Sequence, residues 1–296
     1  VERGVVERRW VGVNEPRGLI APAWGYYAAF FLAPLLIIVA YAFATRTETL
    51  LGVRFGVYAK NFQELWDPLW LQIYGDTFLM ALAGTFGCLL VGYPFAYWLA
   101  TRVRERKTLL LILVIVPFWT SILIRTYALQ LILAPRGPLS GALQALNVIA
   151  NPLDILFSPR AIFVGLVYDY LPLMVFPLFV SIERMDRRLV EASRDLGVGR
   201  WGTFFRVTLP LTMPGILTGC LLVFVPMTGE YVVPTILGGA KGALFGPIVA
   251  NQFLDAFNWP FGAAMSLVLV VFLLIVIFLY LRVLGRRAEE SLGATL

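Results

Sequence analysis

Six stretches of this 296-residue chain are apolar for about as long as a helix needs to cross a bilayer, roughly 20 residues. That removes most of the folds open to it. The stretches cover roughly 24–44, 77–99, 109–133, 161–181, 211–229 and 261–284. In hydrocarbon every backbone amide and carbonyl must be satisfied inside the chain, so the expected fold class is an all-α membrane protein of six transmembrane helices. Only 14% of the residues are charged and mean hydropathy is +0.81, against roughly a quarter charged in a soluble domain. Pro117 interrupts the third stretch, Pro172 and Pro177 the fourth, and Pro214 and Pro226 the fifth. Prolines at such depth suit helices lining a pathway, and they equally mark kinks in purely structural helices.

Charge placement orients the chain. With the N-terminus inside, the segments 1–23, 101–107, 182–209 and 282–296 hold 17 of the 24 lysines and arginines, against 6 in 45–76, 134–160 and 230–260. This bias predicts an N-in, C-in topology. It also explains the net charge of +6 without nucleic acid, because the basic residues sit in short loops. The expected organisation is a cytoplasmic N-terminal segment 1–23, a six-span domain 24–284 and a cytoplasmic tail 285–296. Arg3, Arg8, Arg9 and Arg17 precede the first span with no small-residue cleavage site, so that span reads as retained. Cys88 and Cys220 fall inside apolar stretches and histidine is absent, which leaves a disulfide framework or a metal site without its usual residues.

The loop 182–209 is too long for a bare connection and is expected to have its own structure. Leu189, Ala192, Ser193 and Leu196 fall at i, i+3, i+4 and i+7, one small, weakly apolar helical face. Gly197 and Gly199 allow a turn. Trp201, Phe204 and Phe205 follow before Pro210 opens the fifth span. Two short helices meeting at a glycine turn make a knob for a groove on another protein. An amphipathic helix held at anionic lipid by its arginines is the other reading.

The order Glu191-Ala192-Ser193, then Gly197, then Val207-Thr208-Leu209-Pro210 closely resembles the EAA loop of ABC-importer permeases. Serine stands for the second alanine and valine for the usual isoleucine. The segments LVGYPFAYWLA (90–100), IVPFWTSILIRTYAL (115–129), PLTMPGILTGCLLVF (210–224), GEYVVPTILGGAK (229–241) and NWPFGAA (258–264) resemble permeases of the spermidine/putrescine type. The resemblance covers nearly the whole chain. It implies a type I (MetI-like) importer core in the cell inner membrane. One permease pairs with a second, related permease, separate ATPase subunits energise them, and an extracytoplasmic solute-binding protein delivers substrate. By that resemblance Glu191, Ala192, Ser193 and Gly197, closed by Leu209 and Pro210, contact the ATPase, with Glu191 the anionic contact and Gly197 the turn. No G-x-x-x-x-G-K-[ST] occurs, and GGAKG at 238–242 lacks its spacing and hydroxyl. ATP and magnesium therefore belong to the partner, and this chain is expected to hold no cofactor and no catalytic residue.

Ionisable groups inside spans are costly enough to be functional candidates. Asp169 lies between Tyr168 and Tyr170, Glu230 precedes Tyr231, and Asp76 starts the second span. Carboxylates among aromatic faces suit ammonium groups, with cation–π attraction adding about 0.5–2 kcal/mol. Phe118, Trp119 and Tyr127 offer further faces, so the expected substrate pathway comprises Asp169, Glu230, Tyr168, Trp119 and Tyr127. Two readings of Asp169 stay open, substrate contact or a structural pair with Arg125. Glu230 and Asp76 also fit plain helix-end positions. Gly84, Gly87, Gly92 and Gly219 are expected to permit close helix packing. The NF pair at 61–62 and WDP at 66–68 predict short helices lying on the membrane. The expected function is ATP-driven import of a polyamine. The alternatives are the same machine for an amino acid-like compound or a ferric complex, and a secondary transporter in which the loop has no role.

Overall fold

The computed structural model describes residues 22, 24–47, 52–103, 105–239 and 243–293, with side chains to 282 in the last helix. Most of the expected 1–23 segment, Lys241 of GGAKG, the end of the chain and the side chains of the expected tail lie outside the described residues. Among the described residues five helices are long and apolar enough to cross a membrane: α1 (Trp24–Ala42), α3 (Pro68–Arg102), α7 (Pro159–Glu183), α9 (Arg200–Thr228) and the Trp259–Arg282 part of α11 (Trp259–Gly293). The third expected span is broken. Helix α4 (Lys107–Ile115) and a 3₁₀ turn (Val116–Trp119) meet the stretch Ile122–Ala145, which opens with α5 (Ile122–Leu133), at a bend of 94°, and counting that pair as one crossing makes six. The break has a local cause. Pro117 cannot donate to the turn before it, and Thr120 and Ser121 are extended.

Short elements connect the long helices. A two-residue antiparallel ladder pairs Thr45 with Arg54 and Arg46 with Val53. Helix α2 (Lys60–Glu64) follows, and the Asn61 amide donates to the carbonyls of Ala42 (3.0 Å) and Ala44 (2.8 Å), two groups the end of α1 leaves open. The WDP segment is not a separate surface helix. The Asp67 carboxylate accepts from the amide of Leu69 at 3.0 Å, and Pro68 takes the first turn, where its missing N–H costs nothing. It thus starts α3, whose 35 residues span about 50 Å and outrun the hydrocarbon core. Helices α6 (Pro138–Ala145), α8 (Arg187–Asp195) and α10 (Phe245–Leu254) complete the set.

The core is the bundle of α3, α7 and α9, where lost side-chain volume lets backbones approach. A Cβ on Gly84 would meet Met227 Sδ at 2.8 Å, and one on Gly87 would meet Phe163 and Val167 at 2.9 Å. Gly92 and Gly219 both pack on Met174, as the sequence predicts. Gly215, unread in the sequence, abuts Ser181 and the Pro177 carbonyl. Tyr93 OH and Thr212 Oγ1, 3.0 Å apart and buried, join α3 to α9. A second cluster holds α1, α2 and α10 against α11 through Ala42, Leu65, Phe245, Phe261 and Met265. The first half of α1, Trp24 to Pro34, is exposed throughout.

The chain does not break at Pro210. Helix α9 runs unbroken from Arg200, and a π turn over Phe204–Thr208, closed by the Leu209 amide on the Phe204 carbonyl, sits just before the proline. A proline ring clashes with the carbonyl four residues back; a wider turn relieves that clash. The π turn Ala28–Leu32 stands in the same relation to Pro34.

Candidate functional site

Two sites stand at opposite ends of the core. The first is the loop between α7 and α9. Asp186 caps α8 by accepting from the Arg188 amide at 2.9 Å. The helix ends at Gly197, whose φ of +79° lies in the left-handed region that side-chain-bearing residues enter at a cost of roughly 1–2 kcal/mol. Ser193 Oγ and Thr203 Oγ1, 3.2 Å apart, fasten α8 to the start of α9. Of the row Leu189, Ala192, Ser193 and Leu196 only Ser193 is buried, together with Val190 beside it. Leu196 is 84% exposed and Trp201 77%, with Leu189 and Phe205 also exposed. Leu189, Ala192 and Leu196 face outward, while the short polar Ser193 fits against Thr203. Glu191 and Ala192 are exposed, Leu209 is half-buried and Pro210 exposed. The result is a protruding knob with apolar residues ringed by charge, a surface of the kind that marks an interaction site.

The second site joins α5, α7 and the segment after α9. Arg125 Nη1 lies 3.3 Å from Asp169 Oδ1, with the residues 9% and 2% exposed. This geometry is an ion pair without a hydrogen bond: Asp169 Oδ1 and Arg125 Nε are buried with no hydrogen-bond partner. Thr126 Oγ1 reaches Asp169 Oδ2 only at 3.5 Å, while donating to the Ile122 carbonyl at 2.8 Å. The Phe118 ring lies 5.7 Å from the guanidinium. One residue along α7, the Tyr170 hydroxyl donates to Glu230 Oε2 at 2.5 Å, and Glu230 Oε1 accepts from the Val232 amide at 2.8 Å. A π turn over Pro234–Gly238 holds that strand of chain on α7, with Leu237 and Val233 against Gly165. Gln130 of α5 donates to the Ile236 carbonyl at 3.3 Å.

Asp169 thus faces Arg125, while the next residue, Tyr170, which sequence reasoning passed over as a mere flank, holds Glu230. The aromatic members are not. Trp119 is 83% exposed, and Tyr127 and Tyr168 are exposed on the outside of the chain, away from the network. Phe118 serves Arg125. Asp76 is exposed on α3. Neighbouring residues on a helix face directions about 100° apart, so Tyr168 and Asp169 could not share one.

The fold is that of a membrane-spanning helical subunit with a structured, exposed loop at one end. The chain belongs to the family of binding-protein-dependent transport system inner membrane components, matched over residues 92–290, and is a multi-pass inner-membrane protein. It is 43% identical over 264 residues to the spermidine/putrescine transport system permease protein PotB of Escherichia coli (strain K12), covering 89% of this chain and 96% of that one. The PotB protein of Haemophilus influenzae is 41% identical over 273 residues, covering 91% and 95%. The inner membrane ABC transporter permease protein YdcU of E. coli is 30% identical over 260 residues, covering 83% and 82%. A solved bacterial ABC transporter involved in the import of the acidic polysaccharide alginate superposes with a TM-score of 0.67 at 15% identity, covering 91% and 94%. A bacterial alginate ABC transporter in complex with alginate pentasaccharide-bound periplasmic protein gives 0.69, also at 15%, covering 89% and 91%. These two share the ABC importer permease fold.

Proposed function

We propose that this chain is the permease subunit through which an ATP-driven importer passes polyamines of the spermidine/putrescine class. Identity of 43% along nearly the whole chain to permeases of that name carries the reading. The charge network supports it. Arg125, Asp169 and Glu230 sum to one excess negative charge within or beside the spans. Glu230 receives only neutral donors, Tyr170 and a backbone amide, and has no cation within salt-bridge distance among the described residues. Excess negative charge at membrane depth favours a cationic guest, and the half-buried Glu230 is its accessible face. Asp169 is held by Arg125 and acts behind it.

In this reading the chain hydrolyses nothing. ATPase subunits binding ATP-Mg dock on the knob of Glu191, Ala192, Ser193 and Gly197 that Leu209 and Pro210 close. A second, homologous permease covers the exposed outer faces, including Trp119, Tyr127 and Tyr168. An extracytoplasmic protein delivers the substrate at the other end, and both termini face the cytoplasm. Because α9 continues from the knob into the membrane, force on the knob tilts a span directly and moves the Glu230 segment at its far end.

The test is uptake of labelled spermidine and putrescine into proteoliposomes holding the chain with its transporter partners, with and without ATP on the knob side. ATP-dependent accumulation that Glu191→Arg abolishes is expected. Accumulation without ATP would make the chain a secondary transporter. ATPase activity with no polyamine uptake would keep the machine and reject the substrate.

A further inference from the structure

Arg187 occupies the first turn of α8, where the helix dipole disfavours a cation. Its guanidinium instead reaches the end of α3. Nη2 donates to the Ala100 carbonyl at 2.7 Å, and Nη1 has a longer contact of 3.5 Å with the Thr101 carbonyl. These are carbonyls the last turn of a helix cannot satisfy itself, at the end where a positive charge is favoured. The cation is thus on the wrong end of its own helix and the right end of its neighbour's. The backbone of α8 packs mainly on the start of α9 and its π turn, and the bond from Arg187 ties α8 to the end of α3. Beside it Lys107 Nζ and Glu183 Oε1, 2.9 Å apart, join the start of α4 to the end of α7.

We infer that Arg187 is a positioning residue for energy coupling, the bolt by which displacement of α8 carries the end of α3 along with α9. The inference rests on the reading of α8 as the ATPase-docking helix. Without the bolt, α8 still docks, and α9 still moves because it is continuous with the knob. The core, however, is α3, α7 and α9 packed glycine to side chain, and it reorients as a unit only if α3 is driven too. Hydrolysis then proceeds with little transport.

The experiment measures substrate moved per ATP hydrolysed in proteoliposomes, alongside ATPase co-purified with the permease. Arg187→Gln is expected to keep the co-purified ATPase and its hydrolysis rate but to lower the transport ratio roughly tenfold, the scale of a coupling carried by one charge-assisted hydrogen bond. Arg187→Lys keeps the charge with a single-point donor in place of the fork, and is expected to fall between. A wild-type ratio in both variants overturns the inference. So does a loss of co-purified ATPase at an unchanged ratio, which would make Arg187 a docking or folding residue. Failure of the wild-type chain to bring down an ATPase would sink the docking reading itself, a separate result visible before any variant is made.

Discussion

Asp169 and Glu230 are both carboxylates beside tyrosines, yet their surroundings assign them different work. Asp169 is buried against Arg125 at 3.3 Å with an oxygen left without a hydrogen bond. Removing one member of a buried pair strands the other charge, at a cost of about 3–5 kcal/mol. Asp169→Asn and Arg125→Gln are each expected to lower the amount of folded permease in the membrane, and the double variant to recover much of it. Measured by immunoblot of the assembled complex, equal loss in singles and double would refute the pairing as a structural unit. Glu230 contrasts with it, being half-buried and served by neutral donors. Glu230→Gln is expected to leave abundance unchanged and to raise KM for spermidine uptake roughly tenfold, the worth of one charge-assisted contact. An unchanged KM would take Glu230 out of the pathway.

At the scale of elements, the knob depends on one backbone conformation. Gly197 is the turn at φ +79°, and a Cβ there would meet nothing within 4 Å, so the penalty for substitution is conformational and not steric. Gly197→Ala should therefore cost only about 1 kcal/mol and keep most ATPase co-purification. Gly197→Asp, which adds a charge at the apex, is expected to abolish it while membrane insertion stays normal. Equal behaviour of the two variants would contradict the turn assignment. Prolines act on elements in a graded way. Pro94, Pro172, Pro177, Pro214 and Pro226 sit inside helices that continue through them, and Pro210 and Pro34 follow π turns. Only Pro117 coincides with a break, because the residues after it turn extended. Nothing in the composition of these segments separates those outcomes.

For the whole molecule, the knob and the α6 region are expected on opposite sides of the membrane. Cys88 is buried and Cys220 half-buried within the spans, so introduced thiols can be read against a low background. In intact cells an impermeant maleimide should label Leu146→Cys, which replaces an exposed residue, and should reach Arg194→Cys only after the membrane is opened. The reverse pattern would invert the topology. The amino-acid sequence by itself determined that the chain lives in a bilayer, where its spans lie, and that the loop between the fourth and fifth spans has structure of its own. Those properties depend on local hydrophobicity, charge and spacing, which survive without knowledge of the fold. Tertiary structure alone decided that span three is bent by 94°, that Asp169 answers to Arg125 and Glu230 to Tyr170, and that Leu189, Leu196 and Trp201 of the knob face out. It alone brought Arg187 to the end of α3. Each of these joins residues distant in the chain or sets the rotation of a helix about its axis, and both are fixed by packing between elements.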